Sequence, residues 1–185
     1  MRMTIMAAMT VAAGCLFAQN PADDPGGWTK AKWGMTQAQI VEAYSGQTRL
    51  RDYSAPKPHS VLEIAGISIG TGPPYKASFS FDKASRLSSV LIEPATGMSG
   101  TGSVASVAKS NLLTALTDKY GLPQADTPIP AHDDYGMHKI TYKWTWIFPT
   151  TVISLNYVDY GSSMSTGVTG ITYLSYRLRQ TSDAL

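Results

Sequence analysis

The sequence predicts an α+β fold, built as two units that each combine a helix with antiparallel sheet, and three observations predict it. The stretch "GMTQAQIVEAYSG" (Gly34–Gly46) carries both start and stop signals of a helix. "GSVASVAKSNLLTALTDKYGLP" (Gly102–Pro123) repeats apolar residues at helical spacing. Between and after these stretches the apolar period changes to two, as half-buried antiparallel strands require. The resulting order is helix, three strands, helix, three strands, which suggests a tandem pair with helices covering one face of antiparallel sheet.

The elements follow in chain order. "MRMTIMAAMTVAAGCLFAQN" opens with one basic residue, Arg2, and continues as an uncharged, mostly apolar run from Met3 to Ala18. A basic start, a short apolar core and a small residue before a polar stretch read as a secretory signal peptide over residues 1–18. The run falls short of the about 20 apolar residues that a membrane span needs, and no later segment is long and apolar enough. The mature chain is therefore expected outside the cytoplasm, periplasmic or secreted, with Gln19 as its first residue. Cys15 supplies the alternative: "VAAGC" is similar to the sequence before a lipidated bacterial cysteine, so lipidation at Cys15 would anchor the chain at the envelope. Simple cleavage is favoured by Ala12, where such sites prefer a large aliphatic residue, and by the apolar Leu16-Phe17-Ala18 that follows. It removes Cys15, the chain's single cysteine, and with it disulfides, thiolate metal ligands and thiol catalysis.

A polar segment, residues 19–32, leads to the first unit, residues 33–93. In its helix Thr36 is placed as N-cap, and Gln39 can complete a capping box by bonding back to the Thr36 backbone. Met35 and Ile40 stand at staple positions, Ile40, Val41 and Tyr44 form an apolar face, and Gly46 is placed to end the helix in a left-handed cap. Strands are expected at Val61–Ile69, at "YKASFSFD" with Tyr75, Ala77, Phe79 and Phe81 on one face, and at Leu87–Glu93. "GISIGTGPP" (Gly66–Pro74) reads as a hairpin turn, because its prolines break any helix that could cradle a phosphate. A Gly/Ser-rich linker, residues 94–102, precedes the second unit, residues 103–178.

There Ser103 is the expected N-cap, and Val104, Ala108, Leu112, Leu116 and Tyr120 share a stripe. Gly121 ends the helix, Leu122 can fold back on Leu116, and Pro123 stops the chain. "KITYKWTWIFP" puts Ile140, Tyr142, Trp144, Trp146 and Phe148 on one face; "TVISLNYVD" offers Ile153, Leu155 and Tyr157; "GITYLSYR" offers Ile171 and Tyr173. Residues 179–185 form a tail. Tyr75-Lys76-x-Ser78-Phe79-x-Phe81 and Tyr142-Lys143-x-Thr145-Trp146-x-Phe148 share a pattern, the trace of a duplication if there is one.

Composition narrows function. The 185-residue chain is 43% hydrophobic with a mean hydropathy of −0.09, enough for a core and unlike a disordered chain. Charged residues make up 15%, against about 25% in typical soluble domains, so Ser, Thr, Gly and Asn must supply much of the polar surface. The formal charge is +2 with no basic run, which argues against nucleic acid as a partner.

The stretch Gly34–Gly46, with the strands after it and the "FDKASRLSSV" hairpin (Phe81–Val90), resembles the small bacterial outer-membrane lipoproteins of the BamE type. In that family a Gly-Met-Thr-x-x-x-Val/Ile helix start precedes a compact three-stranded sheet. The wider group includes the β-lactamase-inhibitor-protein-like modules, tandem copies of helix plus antiparallel sheet. The resemblance covers residues 33–93 directly and the second half in architecture. It transfers no functional residues. It implies a small extracytoplasmic module that binds proteins and seldom catalyses.

Residues that could carry chemistry are few. "HDDYGMH" (His132–His138) is the one cluster of ligand-type side chains, two histidines six residues apart in a loop. A metal site needs three or four ligands at fixed geometry, and neither H-x-E nor H-E-x-x-H occurs, so a solvated loop is expected. Glu93 ends a strand without an evident carboxylate partner for glycoside hydrolysis. Trp144 and Trp146 could stack on sugars. Yet five large apolar residues on one strand face are worth on the order of 10 kcal/mol when buried, as an upper bound, and that is comparable with a domain's whole net stability. They are expected in the core, as is Trp33, whose Trp-Gly-Met-Thr context reads as a folding signal with Gly34 turning the chain. No cofactor, metal or catalytic residue is assigned. The function expected is a non-enzymatic protein-interaction module of the cell envelope. The alternatives are a small secreted hydrolase using the His132–His138 loop and a carbohydrate-binding module using Trp144.

Overall fold

We describe residues 23–53, 59–70, 72–95, 99–132, 138–161, 168–180 and 183 of the computed structural model. The signal-peptide reading, Cys15, Asp133 and Asp134 lie outside these residues. The elements are β1 (Gly27–Trp28), β2 (Ala31–Lys32), α1 (Gln37–Ala43), β3 (Thr48–Tyr53), β4 (His59–Ile67), β5 (Tyr75–Phe81), β6 (Leu87–Pro94), β7 (Ser99–Thr101), α2 (Gly102–Tyr120), β8 (Gln124–Ala125), β9 (Ile129–His132), β10 (His138–Ile147), β11 (Thr151–Asp159) and β12 (Val168–Leu178).

This order corrects the predicted class. The protein is mostly β, with two helices among the described residues, and its strands do not form a tandem pair of helix-plus-three-strand units. Apart from the small β1–β2 hairpin, ten strands form one antiparallel sheet, in the order β3-β4-β5-β6-β12-β11-β10-β8. The strand β7 continues the β6 side of β12, and β9 continues the β8 side of β10, so the ten strands occupy eight positions. What joins the two halves is the pairing of β6 with β12, Ile92 opposite Leu174 and Val90 opposite Tyr176. The linker stretch Ser99–Thr101 is itself a strand of this sheet.

The missed strands have physical reasons. "TRLRDY" (β3) sits at one edge, where its alternation carries charges, and Leu50 stays 57% exposed. β8 and β9 form the other edge and are short, and β9 contains Pro130.

The register explains the core. On one face Leu62, Phe79, Val90, Tyr176, Ile153 and Trp146 follow one another across six strands. All six are buried, at about 1.5–3 kcal/mol for each large side chain. A neighbouring row runs Ile64, Ala77, Ile92, Leu174, Leu155, Trp144. The parity expected for β12 is corrected: Thr172, Leu174 and Tyr176 face the core and are buried, while Ile171 and Tyr173 lie on the opposite face, half-buried.

Both helices lie on the apolar face. The expected stripe of α2 holds: Ala105, Ala108, Leu112 and Leu116 are buried, and the Thr172 hydroxyl donates to the Ala105 carbonyl at 2.7 Å. The helix begins at Gly102 rather than after Ser103, and Gly121 follows it in the left-handed region. Leu122 does not fold back; it is 72% exposed.

α1 has the predicted capping box between Thr36 and Gln39. It is seven residues long, with Tyr44 as C-cap rather than a helical position, and Val41 points to solvent. Tyr44 instead clamps three segments together. Its ring packs against Trp28 and Phe79, and its hydroxyl accepts from the Lys30 and Ala31 amides and donates to the Trp28 carbonyl.

Trp33 is half-buried and packs against the core. Gly34 has φ +82, the turn expected of it. The Trp33 indole reaches the second half of the sheet, donating to the Thr151 hydroxyl of β11 at 2.9 Å. Asp24 reinforces that attachment, accepting from Gly26, from the Thr151 hydroxyl and from the Thr150 amide. Partial burial alone would raise the pKa of this carboxyl, but these hydrogen bonds together outweigh it and hold the value below the ordinary one.

Candidate functional site

Two surfaces carry ordered polar or aromatic side chains, one on each face of the sheet. The first is the face away from the helices. Antiparallel register aligns Arg49, Glu63, Ser78, Leu91, Ser175, Ser154, Thr145 and Gln124 in one line across all eight strand positions. Seven of the eight are polar, as period-two alternation against the apolar face dictates.

An ionic ladder strengthens the first half of this face. Lys76 Nζ lies 2.6 Å from Glu93 Oε1 and 3.9 Å from Glu63 Oε1, and Arg51 Nε lies 2.9 Å from Glu63 Oε2. The two glutamates are buried, so the lysine and arginine supply the compensating charge that such burial requires. The ladder follows from register, since Lys76 sits directly opposite Glu93. The sequence shows no evident carboxylate partner for Glu93; the charged position in each alternating strand is a signal, but which residue faces it depends on which strands pair.

Most cations on this face are paired with carboxylates. Arg49, Arg51, Lys76, Lys139, Lys143 and Arg177 share it with Glu63 and Glu93. Lys143 pairs with Asp126, and Arg177 is held bidentately by Asp183. That contact holds the Asp183 carboxyl down at about 2.

The second surface is a cleft of about 370 Å³ on the helix side, between α2 and the outer part of the sheet. Ser106 and Lys109 line it from the helix, and Tyr142, Trp144, Tyr157 and Asp159 from β10 and β11. The cleft exists because α2 lies over β12 and β11 and leaves the apolar face of β10 open at its outer part. Tyr142 and Trp144 are nearly parallel, 12° apart with centroids 6.3 Å apart, and Tyr157 flanks Tyr142 at 5.9 Å. A Cβ on Gly170 would lie 2.9 Å from the Tyr157 ring, so the glycine makes room for that ring to lie across β12. Burial, then Asp159, then Tyr142 push the Tyr157 phenol above its usual range.

Of Trp144 and Trp146, both expected in the core, this geometry seals only one. Trp146 is core: it is buried, and its indole donates to the Gly121 carbonyl at 2.8 Å. Trp144, two residues away on the same face, packs partly on the core and partly lines the cleft. His132 and His138 do meet, as the last pair of the β9–β10 hairpin with ring centroids 5.6 Å apart, and both are exposed. Among the described residues, no group of three or more His, Cys, Asp or Glu side chains is placed to hold a metal ion. Also among them, no helix is long and apolar enough to cross a membrane.

Comparison with known protein families, with curated proteins and with solved structures finds no match for this chain.

Proposed function

We propose that this chain is an exported, non-enzymatic protein-interaction module, which presents the helix-free face of its sheet to an acidic protein surface in the cell envelope or outside the cell. The observation that carries the reading is the polar row spanning all eight strand positions on a face that neither helix covers. Glu63, Ser154 and Thr145 of this row are themselves buried, so the surface on offer is made by the exposed Arg49, Arg51, Lys143 and Gln124 and the half-buried Ser78 and Ser175. The side chains there are already held by cross-strand ion pairs, so less conformational entropy is lost on association. Among the described residues six cations meet four carboxylates on and beside this face, and that small excess, with Arg49 exposed, favours an acidic partner. Export is supported by the basic-then-apolar N-terminus, and protein binding by the resemblance of residues 33–93 to BamE-type modules.

The test is site-specific photocrosslinking in cells that express the full chain. A photoreactive residue at Ser78 or Ser175 is expected to trap discrete protein adducts, while one at Glu42 on α1 traps none. Arg49→Glu, which reverses an exposed charge on the face, should remove the adducts. Equal labelling from Glu42, or no adduct from either sheet position, overturns the reading.

A further inference from the structure

We propose that the cleft between α2 and β10–β11 binds a pyranose ring of a neutral glycan, with Tyr142 and Trp144 as the platform and Asp159, Lys109 and Ser106 at the rim. This site lies on the face opposite the proposed protein-binding surface, and it uses none of the same residues.

The chemistry of the lining selects the ligand. The Tyr142 and Trp144 rings lie nearly parallel and both line the cleft, giving it an apolar aromatic side suited to the C–H face of a sugar. The rim holds an acceptor, Asp159, a cation, Lys109, and hydroxyls on Ser106 and the two tyrosines. Every sugar hydroxyl both donates and accepts, so one ring of hydroxyls can satisfy the carboxylate and the ammonium together. An apolar side chain in the same place would desolvate both charges without replacing their hydrogen bonds, which is unfavourable.

Other ligand classes fit less well. A quaternary ammonium ligand would share the cleft with the Lys109 ammonium, which sits 5.1 Å from the Tyr157 centroid, and like charges repel. A polyanion would meet one cation and the Asp159 carboxylate. The volume, about 370 Å³, is at the small end of ligand sites, so one sugar ring is engaged rather than an extended chain.

The experiment titrates the purified protein with four soluble tetrasaccharides, a β-1,4-glucan, a β-1,4-mannan, an α-1,4-glucan and a β-1,4-linked N-acetylglucosamine tetramer, and follows tryptophan fluorescence. Saturable binding of at least one, with Kd of about 1 mM or tighter, is expected. Trp144→Ala should weaken it by about tenfold or more, the loss of one aromatic stack. If that variant does not fold, Ser106→Trp fills the cleft from the helix side and should abolish binding without altering the sheet. Arg49→Glu, on the opposite face, should leave sugar affinity unchanged whether or not the protein-binding reading holds. Failure of all four sugars to bind overturns the proposal, as does binding that survives both Trp144→Ala and Ser106→Trp. So does occupation of the cleft by 4-methylphenol without any sugar, which would assign it to an aromatic side chain.

Discussion

Lys76 shows how much one residue on the polar face can matter. It lies between the carboxylates of Glu63 and Glu93, both buried at the level of the sheet. Replacing it with methionine keeps most of the length and the apolar stem of the side chain and removes the charge. Glu93 then loses the ammonium 2.6 Å away, and Glu63 retains Arg51. Removing one partner of a buried pair costs about 3–5 kcal/mol, because the remaining charge stays out of water. Lys76→Met should therefore lower the denaturant midpoint strongly at neutral pH, as measured by equilibrium unfolding. A change under 1 kcal/mol would mean that solvent reaches these carboxylates freely. Trp144 and Trp146 make the complementary point: the same residue type, two positions apart on one strand face, is core in one case and cleft wall in the other, solely because of what lies above it.

At the scale of elements, α1 is short and depends on its ends. A helix of seven residues has few internal hydrogen bonds to offset the cost of nucleation. The reciprocal Thr36–Gln39 bonds and the burial of Ile40 and Tyr44 hold it. Thr36→Ala is expected to cost about 1 kcal/mol, read from thermal and denaturant unfolding. Gln39→Ala should cost less, since Gln39 satisfies the Thr36 amide, which is exposed and has water as a substitute. By contrast α2 spans 19 residues and is held by its buried stripe and by the Thr172 bond beneath it, so its stability is set by packing rather than by capping.

For the whole molecule, the seam between β6 and β12 decides whether the protein is one folding unit or two. Leu174 sits at that seam, 1% exposed, opposite Ile92 and Leu155. Because the core rows run uninterrupted through it, unfolding should be a single transition in which tryptophan fluorescence and far-UV circular dichroism coincide. Leu174→Ala should cost about 2–5 kcal/mol and shift both signals together. Separate midpoints would show that the halves melt independently despite the shared sheet.

Several of these features were legible in the chain itself. The capping box of α1, the stripe of α2 and the alternation of β5, β10 and β11 all depend on residues within a few positions of one another, and backbone geometry ties such spacings to one conformation. The polar character of the second face was legible for the same reason. The continuous sheet was not, because the β6–β12 pairing joins segments about eighty residues apart and leaves no periodic mark in either. The edge strands were hidden by charge and proline, which protect edges from pairing. The parity of β12 was misread because Ile171 and Tyr173 are as apolar as the residues that face the core, and only the register with β6 and β11 separates them. The line taken by α2 across the sheet, fixed by packing on β12 and β11, decided that Trp146 would be sealed and Trp144 left beside an open cleft.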